Sequence, residues 1–467
     1  MSARRAWALA ILLAVAAGVR IRWFTGLQMG DDIVYSRITV DRLSGTTSYH
    51  NVHQTRSGFL LGLLGSAAAF GPGEVPLVLY NLLCSLGLVA ALSVLGGRLF
   101  GDAAGLAAGA IAALHPNLVR FASECHTDTP AALWLTLALA ALRAATSSDR
   151  SGPLRLLSGL LMGWAYLHKE HAVFVIPFVL GHWIAGGRRW TWYLPTGLAF
   201  AGVFAAELAG FAILTDNPFK RYEMVRYWHA GQYMAEQYPT SGALLYRVFL
   251  DLPAKLLAPW NGLIFPAGLI ALWAVRRDVR ARWIAGWFLA LYLGYSAWPS
   301  SLVPFRPGFT LYQWTLPVLW PPLILLLAAG LARLRPRVAV AILLLLSLVH
   351  LGAIHAAWVH DRRFSDGPRE ARAWLEGKPY ARIFADDKMI EAFDFWDGHD
   401  PSRRYFRFQD PEAPSRGVVI VDRFRTEPGH WWSRPGVTPD PRWKTLYESG
   451  RLRIYDPLNV DSLPARP

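Results

Sequence analysis

Eleven stretches of this chain are apolar over roughly the length that crosses a lipid bilayer, and short clusters of arginine separate many of them. No other feature of the sequence narrows the fold as far. A crossing helix needs about 20 mostly apolar residues, and runs of that kind fall at residues 7–24, 75–96, 103–119, 130–145, 154–167, 172–185, 192–214, 256–275, 283–298, 309–331 and 338–358. Hydrocarbon offers no partner to a free peptide group, so such runs are read as helices. The expected fold class is therefore mostly α: a polytopic membrane bundle of about eleven transmembrane helices. Residues 58–70 are apolar but too short for a crossing and are expected along the membrane interface.

Composition supports this reading. Charged residues make up 17% of the chain, against about 25% in ordinary soluble domains. The 21 Trp, 23 Phe and 17 Tyr suit rings placed at a membrane–water boundary. A hydrophobic content of 53% excludes a disordered chain. The formal charge of +14 would suggest nucleic acid in a soluble protein, but here much of it sits in turns between apolar runs, so no nucleic-acid partner is expected. The two cysteines, Cys84 and Cys125, are expected to be reduced.

The basic residues also set an orientation. With the N-terminus in the cytoplasm, the inner turns hold Arg98; Arg150 and Arg155; Arg188 and Arg189; Arg276, Arg277, Arg280 and Arg282; and Arg333, Arg335 and Arg337. The opposite short turns hold chiefly Arg120, Lys169 and Arg306. This positive-inside bias predicts a cytoplasmic N-terminus and an extracytoplasmic C-terminus. No small-residue cleavage site follows the first run, so it is read as a span and not a signal peptide. The 41 Arg against 6 Lys suggest a GC-rich bacterial genome, hence a multi-pass protein of the inner (plasma) membrane. Residues 1–359 form the expected membrane domain, with outer loops at 26–74 and 215–251. Residues 360–467 alternate strand-like runs (381–385, 417–421, 451–455) with a helical stretch (368–375), predicting a small extracytoplasmic α/β domain.

Polar residues gather on the predicted outer side. Asp31 and Asp32 follow the first span; at the mouth of a helix, one carboxylate raises the pKa of the other, and such a group can act as a general base. The turn 123–130 carries Glu124 and Asp128, where Asp128 or Thr129 could also cap the next helix ahead of Pro130. His168-Lys169-Glu170-His171 is pressed between two apolar runs. Its ammonium suits a phosphate oxyanion, with Glu170 expected to hold Lys169 in place. His53 and Arg56 in the first loop, Arg306 in a later outer turn, and Lys220, Arg221, Arg226 and His229 beside tyrosines and a tryptophan suit a lipid phosphate or a sugar face. They equally suit anchoring at the head groups. His168 and His171 lack further ligands nearby, so no metal ligands are assigned. Paired carboxylates can hold a divalent cation, which leaves metal dependence open. A transporter would place ionisable residues mid-span; here Glu207 is the notable one.

The order of these motifs resembles the GT-C membrane glycosyltransferases, and more narrowly the branch of protein O-mannosyltransferases and the lipid A aminoarabinose transferase. The stretches that carry it are residues 30–37, residues 99–130 with Leu99-Phe100-Gly101 and Asp128, and residues 159–177 with a Gly-rich span ending in Lys169-Glu170. The family pattern has Asp-Glu where this chain has Asp31-Asp32. The resemblance implies an inverting enzyme that takes a sugar from a polyprenyl-phosphate carrier and passes it to a lipid, glycan or protein acceptor on the extracytoplasmic face. It implies Asp31 or Asp32 as catalytic base, with Asp31 preferred. Asp128 would orient a substrate, and Lys169 would stabilise the departing phosphate, with Glu170, Glu124, His53, Arg56 and Arg306 as further binding residues. The alternatives are a transporter or flippase for a lipid-linked sugar, and a non-catalytic scaffold whose outer tail binds a partner.

Overall fold

The computed structural model describes residues 3–28, 30–148, 151–186, 189–229, 243–302, 305–307, 311, 316–378, 380, 382–397, 404–407, 417–426 and 441–457. The first half of the chain folds as α1 (Ala3–Arg22), α2 (Asp31–Leu43), α3 (Ser57–Phe70), α4 (Glu74–Phe100), α5 (Asp102–Leu114), α6 (Pro116–Arg120), α7 (Asp128–Ala145), α8 (Ser151–His168), α9 (Ile176–Gly186), α10 (Leu194–Thr215) and α11 (Lys220–His229). Further long helices span Ile264–Val275, Val279–Ala297, Trp320–Leu331 and Pro336–Leu375. Each apolar run thus contains a helix, but not always an unbroken one. The run at 103–119 breaks where Pro116 cannot continue α5; His115 goes extended and Pro116 opens α6.

Among the described residues, three helices are long and apolar enough to cross a membrane: Glu74–Phe100, Leu194–Thr215 and Pro336–Leu375. The other runs fold into helices that are shorter or carry more polar residues, so the eleven expected crossings are not all distinct long helices. Helix α4 packs on α5 and α7, α7 on α8, and α8 on α10. Gly159 lets α8 approach α10: a Cβ there would stand 2.1 Å from the Thr196 carbonyl oxygen. One apolar core runs through the bundle, from Leu88 and Leu92 through Leu139 to Trp287, Trp320 and Leu323. The outside is apolar as well: Ile184, Ile213, Ile270 and Leu348 are each at least 69% exposed. Water penalises such a surface and hydrocarbon does not. Cys84 and Cys125 are buried and unbridged.

A two-stranded hairpin pairs β1 (Pro299–Leu302) with β2 (Phe305–Pro307). The tail adds a five-stranded sheet of β3 (Arg382–Ala385), β4 (Arg404–Arg407), β5 (Val418–Asp422), β6 (Lys444–Glu448) and β7 (Leu452–Asp456), in the order β4-β3-β5-β7-β6. β3 runs parallel to β4 and β5, while β7 is antiparallel to β5 and β6. The three expected strands correspond to β3, β5 and β7. Helix Asp387–Trp396 follows β3, its start capped by Asp386, which accepts N–H bonds from Lys388 and Met389. The bundle and the tail share one element, because the helix Pro336–Leu375 runs on without a break past residue 360. The helical stretch expected at 368–375 is the end of this longer helix, and Pro368 lies inside it.

Candidate active site

Adjacent residues on a helix point about 100° apart, so the two aspartates that open α2 cannot share one environment. Asp32 turns inward and is 4% exposed. Its carboxylate folds back over the helix start and accepts N–H bonds from Gly30 (2.8 Å), Ile33 (2.9 Å) and Gln28. Burial pushes its pKa up to about 6 against the pull of those three donors. Asp31 faces open space with its side chain 59% exposed, 3.3 Å from His53 Nε2. The protein around it raises the cost of its charge, but His53, His126 and Arg56 outweigh this and hold the Asp31 carboxyl well below the usual range. The mutual effect expected from sequence therefore acts on Asp32, where burial contributes most.

Asp128 and Lys169 meet below this pair. Lys169 Nζ donates to Asp128 Oδ2 at 2.9 Å, and both side chains are nearly inaccessible. His126 Nδ1 lies 3.2 Å from the same oxygen, its ring stacked on Phe121. Burial opposes charge on Asp128, but Lys169, His126 and His171 hold its carboxyl below the ordinary range. Asp128 Oδ1 is buried without a hydrogen-bond partner among the described residues. Asp128 is the first residue of α7 and makes no capping bond; its side chain turns to Lys169 instead. Burial, opposed by Asp128, lowers the His126 pKa to about 4.

Glu170 does not hold Lys169, contrary to the expectation from their adjacency. Lys169 is extended and Glu170 begins a 3-10 turn, which sends their side chains to different partners. Glu170 instead receives Arg56 Nη2 on Oε1 (3.1 Å) and Arg221 Nη2 on Oε2 (3.4 Å). Arg56 also donates to the Tyr35 hydroxyl (2.6 Å), and Arg221 Nη1 pairs with Glu207 Oε1 at 2.7 Å. This alternating network ties α2, the first loop, the turn after α8, α10 and α11 together. Glu207, the ionisable residue that stood out within a predicted span, is thereby partnered.

Glu124 lies 3.7 Å from Arg120, which itself bonds Asp361 Oδ1 at 2.7 Å. Burial raises the Glu124 pKa well above the carboxylate range, Arg120 opposes it, and Asp361, Asp32 and Asp31 add to it. Arg306 falls in β2, and its side chain lies outside the described residues. His229 likewise has no described side chain. Of the other basic residues in that loop, Lys220 pairs with Glu223 at the surface, at 3.2 Å. Among the described residues, no three His, Cys, Asp or Glu side chains gather as metal ligands.

Sequence reasoning missed Tyr35 and His126 and left Arg221 among interchangeable basic residues. His126 had a signal, since it stands two residues from Asp128. Tyr35 sits one helical turn from Asp31 and Asp32, which puts it on their side of α2.

Residues 61–212, about a third of the chain, match the family model of dolichyl-phosphate-mannose-protein mannosyltransferases. No curated protein matches by sequence. In fold, the chain is similar to ArnT from Cupriavidus metallidurans in the apo state, with a TM-score of 0.64, 16% identity and 100% of each chain covered. The structure of that protein bound to undecaprenyl phosphate gives a TM-score of 0.62 at 16% identity, over 97% of this chain and 98% of the other. The archaeal oligosaccharyltransferase AglB from Archaeoglobus fulgidus, in complex with an inhibitory peptide and a dolichol-phosphate, gives 0.52 at 10% identity, over 90% and 70%. The resemblance to GT-C glycosyltransferases drawn from the motifs is thus matched by a family model and by the fold of the whole chain.

Proposed function

We propose that this protein is an integral-membrane, inverting glycosyltransferase that moves a sugar from a polyprenyl-phosphate carrier to an acceptor on the extracytoplasmic face. One observation carries the reading: an open carboxylate (Asp31) has His53 and Arg56 of the first loop and His126 of the next outer turn close enough to hold its charge, on a fold similar to that of GT-C enzymes. Asp31 accepts the proton of the acceptor hydroxyl as that oxygen attacks the anomeric carbon. The bond from that carbon to the phosphate oxygen breaks, its electron pair stays on the phosphate, and the sugar leaves inverted. Arg56 and Lys169 stand where they can offset the charge that develops on the departing phosphate. Asp128 fixes Lys169 from a fully buried position. A lipid phosphate is already a good leaving group, so position and charge can suffice. About eleven crossings, N-terminus inside and tail outside, would put this site at the outer leaflet, where the carrier's chain stays in the bilayer.

The test uses purified protein in lipid nanodiscs with radiolabelled polyprenyl-phosphate sugars and candidate acceptors. Transfer to an acceptor with inverted configuration supports the reading. Movement of intact lipid-linked sugar between leaflets, without transfer, would establish the flippase alternative. Reporter fusions at Arg189 and in the tail should report opposite sides of the membrane, and agreement between them would overturn the topology.

A further inference from the structure

Asp31 belongs to a 13-residue helix outside the predicted spans, so something must hold that helix against the bundle. The holding point is the segment just before it. Glu74, in the first turn of α4, receives both terminal nitrogens of Arg369 from the far end of helix Pro336–Leu375: Nη1 donates to Oε2 at 3.2 Å and Nη2 to Oε1. Oε1 also accepts the Leu27 N–H at 2.7 Å, and Arg369 Nη2 reaches the Thr25 carbonyl oxygen at 3.4 Å. The left-handed backbone and the close side chains favour glycine at residue 26. Gly26 has φ +68°, and a Cβ there would stand 2.1 Å from Glu74 Oε1 and 2.7 Å from Arg369 Nη2.

The tail domain closes the arrangement from the other side. Ala392 and Phe395, on helix Asp387–Trp396, share one apolar core with Leu27, Ile33, Tyr35 and Ile38. The Arg369 guanidinium lies over the Trp396 ring, 5.5 Å from its centre. From Leu27 the restraint passes directly to Gln28, whose N–H bonds the Asp32 carboxylate at the start of α2.

We propose that Arg369 and Glu74 are positioning residues for Asp31, and that the tail domain acts on the reaction by clamping residues 25–28 between α4 and its own first helix. This rests on Asp31 being the base. A carboxylate on a short helix works only if its approach is fixed to within a fraction of an ångström. The clamp supplies that from two residues, Glu74 and Arg369, that hold the chain just before α2.

The experiment uses the full chain in nanodiscs, with polyprenyl-phosphate mannose as probe and sugar release as readout. In Arg369→Ala, amide hydrogen exchange over residues 25–36 should rise by about tenfold or more while α7 and α8 stay as in the wild type. In the same variant kcat should fall roughly 10- to 100-fold with KM for the probe within about threefold. Arg369→Lys, which keeps the charge, should recover most of the loss, and Glu74→Gln should fall between. Wild-type kcat in both Arg369→Ala and Glu74→Ala would overturn the proposal, as would exchange that rises equally throughout the bundle. Asp31→Asn at full turnover would strike the base assignment alone. The exchange measurement would then still decide whether the clamp holds the loop.

Discussion

Asp31 and Asp128 both occupy the first position of a helix, and the protein treats them in opposite ways. Asp128 is sealed, with Lys169 and His126 on one oxygen and, among the described residues, no partner on the other. Among the described residues Asp31 has one close partner, His53, and its side chain is largely exposed. A sealed pair gives a rigid charge pattern at the expense of access. An open carboxylate gives access, and its rigidity must come from elsewhere, here from the ion pair beneath residues 25–28. The contrast separates a group suited to hold geometry from a group suited to exchange a proton.

The strongest challenge to that contrast is Asp31→Asn, which keeps the shape and removes the base. Turnover should drop by roughly 10²- to 10⁴-fold, with the fold retained by circular dichroism; a variant with full turnover breaks the comparison. Next is Lys169→Met, which leaves a buried aspartate unpaired and should destabilise the protein by about 3–5 kcal/mol, measured by denaturation in detergent. The double variant Asp128→Asn/Lys169→Met should regain most of that stability without regaining activity. If it regains both, the sealed pair is only structural.

A smaller effect concerns Asp32. Burial lifts its folded pKa to about 6, above the ordinary aspartate range, so the folded state binds the proton more tightly than the unfolded chain. The stability it contributes is fully present below pH 4 and is lost as pH rises through 6, on the order of 2–3 kcal/mol. The stability of Asp32→Asn relative to the wild type should therefore rise between pH 4 and pH 7, and a flat difference would refute the sign. Asp31 and Asp128 have lowered folded values, so their contributions run the other way, falling as acid protonates them. Smallest is His53→Ala, which should slow turnover only a few-fold, roughly as expected for losing the partner of a half-exposed carboxylate. A loss as large as that of Asp31→Asn would mean that His53 takes part in the chemistry.

Much of the fold was legible because hydropathy is a local property. The apolar runs became helices, and the tail's three alternating stretches became strands β3, β5 and β7. Breaks were harder to see. The run at 103–119 split at His115-Pro116, and the helix Pro336–Leu375 absorbed Pro368, because packing around a proline decides whether a helix ends there. At the site, Asp31, Asp32, Asp128 and Lys169 stood out as polar residues in apolar surroundings. Their pairing did not. Lys169 and Glu170 are neighbours in the chain, yet each found its partner more than 40 residues away: Asp128 for one, Arg56 and Arg221 for the other. The clamp of Glu74 and Arg369 spans 295 residues and left no pattern in the sequence at all.

What the sequence determined by itself is the class of solvent this chain meets and where its polar groups can lie. Hydrophobic free energy is summed residue by residue and leaves its record in the order of residues. What only the tertiary structure decided is which charge answers which, because a Coulomb interaction depends on distance in space and burial, and neither follows from distance along the chain.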